Sequence, residues 1–119
     1  MKRLSTIAVA TALLVLPAVA SAADGFVTCQ AHQADKNRVL YTVAFPANKA
    51  DTDALWTKFV AKLADSGYTK SMYSTEASPV TGICNWEKTA AEANTKTENF
   101  KAAFVAKGAN TMGVSGFPE

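Results

Sequence analysis

The sequence predicts an α+β fold: an antiparallel sheet of four to five strands with two helices on one face, in a split β-α-β arrangement, held by one disulfide. Three observations lead there. Short stretches alternate apolar and polar residues with the period of a half-buried strand, and two longer stretches carry apolar residues at helical spacing. Together they run in the order β-β-α-β-β-α-β. The chain holds two cysteines, Cys29 and Cys84, and each falls in a predicted strand.

The cysteines gain their meaning from the start of the chain, MKRLSTIAVATALLVLPAVASA. Lys2 and Arg3 are followed by a mostly apolar run over 4–19, interrupted by Pro17, and then by Ala20-Ser21-Ala22. These are the positive, apolar and small-residue parts of a secretory signal peptide, spanning 1–22 with cleavage between Ala22 and Ala23. The run is shorter than the ~20 apolar residues a spanning helix needs. The single domain 23–119 is therefore expected in the periplasm, or secreted, with no membrane span after cleavage. In an oxidising compartment an even pair of cysteines reads as a disulfide.

Taken in order, 26–32 alternates, with Val27, Cys29 and Ala31 on one face and Thr28, Gln30 and His32 on the other. The polar stretch 33–37 is a turn. A second strand, 38–45, sets Val39, Tyr41, Val43 and Phe45 on one face and ends at Pro46, which has no N–H for a ladder. A helix is predicted over 51–66 from Leu55, Trp56, Phe59, Val60 and Leu63, capped by Asn48 or Asp51 and stopped by Gly67. Weak alternation marks 69–74 as a short strand, and 80–86 is a further strand that Gly82 weakens. Thr89 and Glu92 form a capping-box pair, able to satisfy each other's free amides. The helix they open carries a thin stripe of Ala93, Phe100, Ala103 and Phe104 and stops at Gly108, before a last strand over 112–117.

Phe59-Val60-Ala61-Lys62 recurs as Phe104-Val105-Ala106-Lys107, and the same offset pairs Tyr41 with Trp86. That register suits two β-α-β units and a ferredoxin-like layout. A bonded cysteine pair needs Cα atoms roughly 4.4–6.8 Å apart. If the first strand paired only with the second, another strand would separate Cys29 from Cys84. Either the first strand inserts beside the Cys84 strand, or the order differs.

Hydrophobic residues make up 49% of the 119 and charged ones 18%, enough apolar content for one folded domain. Removing Lys2 and Arg3 from the 12 basic residues leaves them balanced against the 10 acidic ones. A neutral domain lacks the footprint of a nucleic-acid binder. His32 is the only histidine. As a hydrolase base it would need a serine and an orienting acid such as Asp35; as a polar residue at a strand end it needs neither. There is no G-x-S-x-G elbow and no glycine-rich phosphate loop, and one histidine with two distant cysteines is no zinc site. No catalytic residue, cofactor or metal is assigned. The rings are more informative. Trp56 belongs to a helix stripe, but Tyr41 and Trp86 sit on strands. If both helices cover one face, the other is a platform on which Tyr41, Trp86 and His32 could contact a ligand.

Over 40–117, Tyr41-Thr42-Val43-Ala44-Phe45, Asn48, Ala54-Leu55, Leu63 and Gly67-Tyr68 are followed by the Gly82 strand, the helix start Ala91-Glu92-Ala93, and Gly108. In this the chain resembles the sporulation-related repeat (SPOR) domains, periplasmic modules that bind peptidoglycan. Ala44 stands where that family usually has glycine, and the 26–32 strand is additional. The resemblance implies a cell-wall glycan as ligand. The expected function is thus an exported, non-catalytic binding module for peptidoglycan glycan or a periplasmic protein. The alternatives are a small periplasmic hydrolase using His32, or an inhibitor of a secreted enzyme.

Overall fold

The computed structural model describes residues 22–118, so the predicted signal segment, Ala22 excepted, lies outside the described residues. Among the described residues the fold is α+β: a mixed five-stranded sheet, two helices and the disulfide Cys29–Cys84. Among the described residues no helix is long and apolar enough to cross a membrane.

The first strand, β1 (Gly25–Gln33), organises the sheet. One of its edges pairs antiparallel with β4 (Val80–Glu87) from Phe26 to Gln33. The other pairs antiparallel with β2 (Arg38–Tyr41) and then with β3 (Phe45–Ala47). The last strand, β5 (Asn110–Gly113), lies outside β2 and parallel to it. The first strand does insert beside the Cys84 strand, and the register sets Cys29 directly opposite Cys84 with their Cα atoms 4.0 Å apart.

The predicted strand 38–45 is two strands separated by a bulge. Gln30 faces Tyr41, but Val27 faces Phe45, so one extra residue is accommodated over 42–44. Thr42 holds the break: its N–H donates to Cys29 O (2.9 Å), and its Oγ1 accepts from Cys29 N–H (3.1 Å). The insertion turns Phe45 to the face opposite Val39 and Tyr41 and leaves Val43 72% exposed. Pro46 lies inside β3, in a non-hydrogen-bonded pair with Phe26 where β1 asks for no N–H.

Two helices cover the sheet, α1 (Thr52–Asp65) and α2 (Ala90–Val105), and they lie on opposite faces. Phe59 and Leu63 of α1 are fully buried against Val27, Cys29, Ala31, Leu40, Phe45 and Cys84. Each such side chain contributes about 1.5–3 kcal/mol by leaving water. On the other face α2 meets Thr28, Gln30 and His32. The expectation of both helices on one face is corrected here, and the connections supply the reason. The crossover from β2 through α1 to β4 steps over β1, a split β-α-β unit, while that from β4 through α2 to β5 runs back the other way. Two right-handed crossovers in opposite directions place their helices on opposite faces. The antiparallel sheet becomes mixed for the same reason: a crossover delivers β5 parallel to β2.

Local signals fared unevenly. Gly67 (φ 82°) and Gly108 (φ 90°) follow the helices in the left-handed conformation expected of them. Gly82 is required by close approach, since a Cβ there would sit 2.8 Å from Ala31 Cα. Asn48 and Asp51 make no side-chain cap; a short 3₁₀ turn, Lys49–Asp51, leads into α1, and Asn48 Oδ1 instead accepts the Asp24 N–H (2.9 Å). The stretch 69–74 is a loop with a lone bridge, Lys70 to Ala77. The final strand ends at Gly113, and Phe117 beyond it turns back onto the α1-side core.

Candidate functional site

The strand register decides which predicted site residues meet. Tyr41 faces Gln30 and His32 faces Val39, so both lie on the α2 face. Trp86 faces Val27 on the α1 face. His32 and Tyr41 share a face, and Trp86 does not join them. The proposed bare platform is also covered, because α2 lies across it.

Each of the three side chains is engaged within the fold. The His32 ring stacks on Phe104 with centroids 4.1 Å apart and planes 14° from parallel, and its Nε2 bonds Asn37 Oδ1 (2.9 Å). Asp35, the acid that a hydrolase would place beside His32, accepts the Met72 N–H at Oδ2 (3.4 Å), and its buried Oδ1 has no partner among the described residues. The Lys101 ammonium sits 3.9 Å from the centroid of the Tyr41 ring and 3.0 Å from Glu98 Oε2. The Trp86 indole Nε1–H donates to Asp24 Oδ1 (2.8 Å), with Lys49 Nζ 5.4 Å from the ring. Among the described residues, no three His, Cys, Asp or Glu side chains are grouped to hold a metal.

The concavity lies elsewhere. An open cleft of about 600 Å³ runs between β3 and the first turns of α1. Phe45, Ala47 and Leu55 give it an apolar floor; Asn48, Asp51 and Lys58 bring polar groups to its rim; Pro118 also lines it. Three contacts build it. The bulge turns Phe45 to this face. The Asp24 carboxylate ties the cleft's turn to the sheet, because Oδ1 accepts both the Lys49 N–H (2.9 Å) and the Trp86 indole. Phe117 packs edge-to-face with Phe45 (ring centroids 5.7 Å apart) and Phe59 (5.3 Å), which seats Pro118. Sequence reading passed over Asp24, Lys58 and Phe117. The strong helical stripe of α1 could have pointed to Lys58 on its border, but nothing local marks the other two. A carboxylate and an ammonium beside apolar carbon can receive a short stretch of extended chain carrying both kinds of group.

Compared with family models, with curated proteins and with solved structures, the chain finds no match.

Proposed function

We propose that the protein is an exported, non-catalytic module that binds a segment of another periplasmic protein in the cleft between β3 and α1. The observation that carries this reading is the cleft itself: an apolar floor with Asp51 and Lys58 at its rim. Apolar side chains of an extended peptide bury on Phe45 and Leu55, while its charged groups orient against the two rim charges. The disulfide is compatible with an oxidising compartment. Export rests on the leader 1–22 and its Ala22–Ala23 junction. A peptidoglycan ligand has the sequence resemblance in its favour, but Tyr41 and Trp86 occupy opposite faces and do not make a paired stacking surface for sugar rings.

The test is a comparison of two ligands. Purified peptidoglycan is expected to retain the protein no better than background. Peptides selected from a displayed library should bind and shift backbone resonances at Asn48, Asp51 and Lys58. Lys58→Glu, an exposed substitution, should weaken that binding by about tenfold, the scale of one rim charge pair. Retention on peptidoglycan with no peptide response, or peptide binding indifferent to Lys58→Glu, overturns the reading.

A further inference from the structure

The two edges of the sheet are built differently. On one side β5 is only four residues long, Pro46 offers no N–H, and the Ala44 N–H donates to Asn94 Oδ1 (3.0 Å). A short strand, an edge proline and a satisfied amide each discourage the pairing of further strands. On the other side β4 has none of these devices. Its residues 80–86 include no charge and no proline, and the register with β1 is unbroken over eight pairs.

The outward groups of β4 can be assigned. Cys29 turns its N–H and C=O to Thr42, away from β4, so Cys29 and Cys84 form a non-hydrogen-bonded pair. The backbone N–H and C=O of Cys84 therefore point out of the sheet, as do those of Val80, Gly82 and Trp86 by strand alternation. Of these four, Gly82 is exposed, Val80 and Trp86 are half-buried and Cys84 is 4% exposed; the side chains of Thr81 and Ile83 (52% exposed) are open to solvent.

We propose that this edge pairs with the same edge of a second copy, joining two sheets into one about a two-fold axis at Ile83. The edge is self-complementary. An antiparallel register centred on Ile83 sets Val80 against Trp86 of the partner subunit and Gly82 against Cys84 of the partner subunit, so every outward group meets another. It opposes no like charges, since Glu87 falls against Pro79 of the partner subunit and Lys88 against Ser78 of the partner subunit. The half-exposed Ile83 side chain covers its own symmetry mate. Because the far edge is blocked, assembly closes at two copies and does not run on into a filament. One strand edge hides less than the ~800 Å² per partner of a standard interface, so the dimer is concentration-dependent.

Sedimentation velocity on the oxidised protein, from low micromolar to about 1 mM, should show monomer passing to dimer. Hydrogen exchange should show the amides of Gly82, Cys84 and Trp86 gaining protection with concentration, while those of Thr81, Ile83 and Asn85, already held by β1, do not change. Ile83→Lys brings two ammonium groups together on the axis and should weaken association at least about tenfold with the unfolding midpoint kept. A monomer at every concentration, a dimer whose Gly82 and Cys84 amides stay open, or protection that appears only when a different protein is added overturns the proposal.

Discussion

Thr28, Gln30 and Thr97 are buried between β1 and α2, where an apolar layer would be expected. The arrangement stands because each polar atom has a partner. Gln30 Nε2 donates to Ile83 O (2.9 Å), Thr97 Oγ1 donates to Gln30 Oε1 (2.9 Å), and Thr28 Oγ1 donates to Ala93 O (3.1 Å). Thr97→Val keeps the shape and removes the donor, leaving Gln30 Oε1 short of a partner at a cost of about 1–3 kcal/mol. Adding Gln30→Leu removes the orphaned acceptor, so the double variant should be more stable than the two single losses add up to. Urea unfolding of the four proteins measures this, and strict additivity would dissolve the network as an energetic unit. Alternation had already put Thr28, Gln30 and His32 on one face of β1. What it could not show is that the face is covered, because a row of polar residues reads as solvent-facing until its partners on α2 are in place.

Local chemistry decides most at the ends of elements. Thr89 caps α2: its Oγ1 accepts the Glu92 N–H (3.1 Å) and its hydroxyl donates to Glu92 Oε1 (3.1 Å). Half of the expected reciprocal pair therefore forms: the Glu92 amide is capped, while its carboxylate takes the Thr89 hydroxyl in place of the Thr89 N–H. Thr89→Ala should cost about 0.5–2 kcal/mol and speed amide exchange in the first turn of α2. An unchanged exchange pattern would show that packing, and not the cap, sets where the helix begins. Caps of this kind are legible because their partners lie three residues apart. The bulge after Tyr41 is not, because Thr42 exchanges its bonds with Cys29 across the sheet. Its effect still reaches the cleft: it reverses the face of Phe45 and supplies the floor.

For the molecule as a whole, the disulfide joins the central strand to an edge strand across 55 residues of chain. In the chain-entropy account such a closure is worth ~4 kcal/mol, a large share of the 5–15 kcal/mol typical of a domain's net stability. Reduction should lower the urea midpoint correspondingly, read by fluorescence with and without dithiothreitol. Equal midpoints would mean that strand pairing and the α1-side core hold the sheet unaided. The same scale explains why the candidate site was hard to read. Tyr41 and Trp86 look equivalent in the sequence and are placed on opposite faces by register. The cleft joins residues near 24, 45, 58 and 118, whose meeting depends on how the chain returns on itself.

By itself the sequence determined the α+β class, the two helices, the strands that carry Cys29 and Cys84, the turns that stop both helices, and the two cysteines that pair. All of these rest on neighbours within a few positions or on residue type alone. The tertiary structure alone decided that β1 lies in the middle of the sheet, that the helices take opposite faces, and that the concavity forms beside β3. Those features follow from the directions of two crossovers and a one-residue insertion, and neither leaves a periodic trace along the chain.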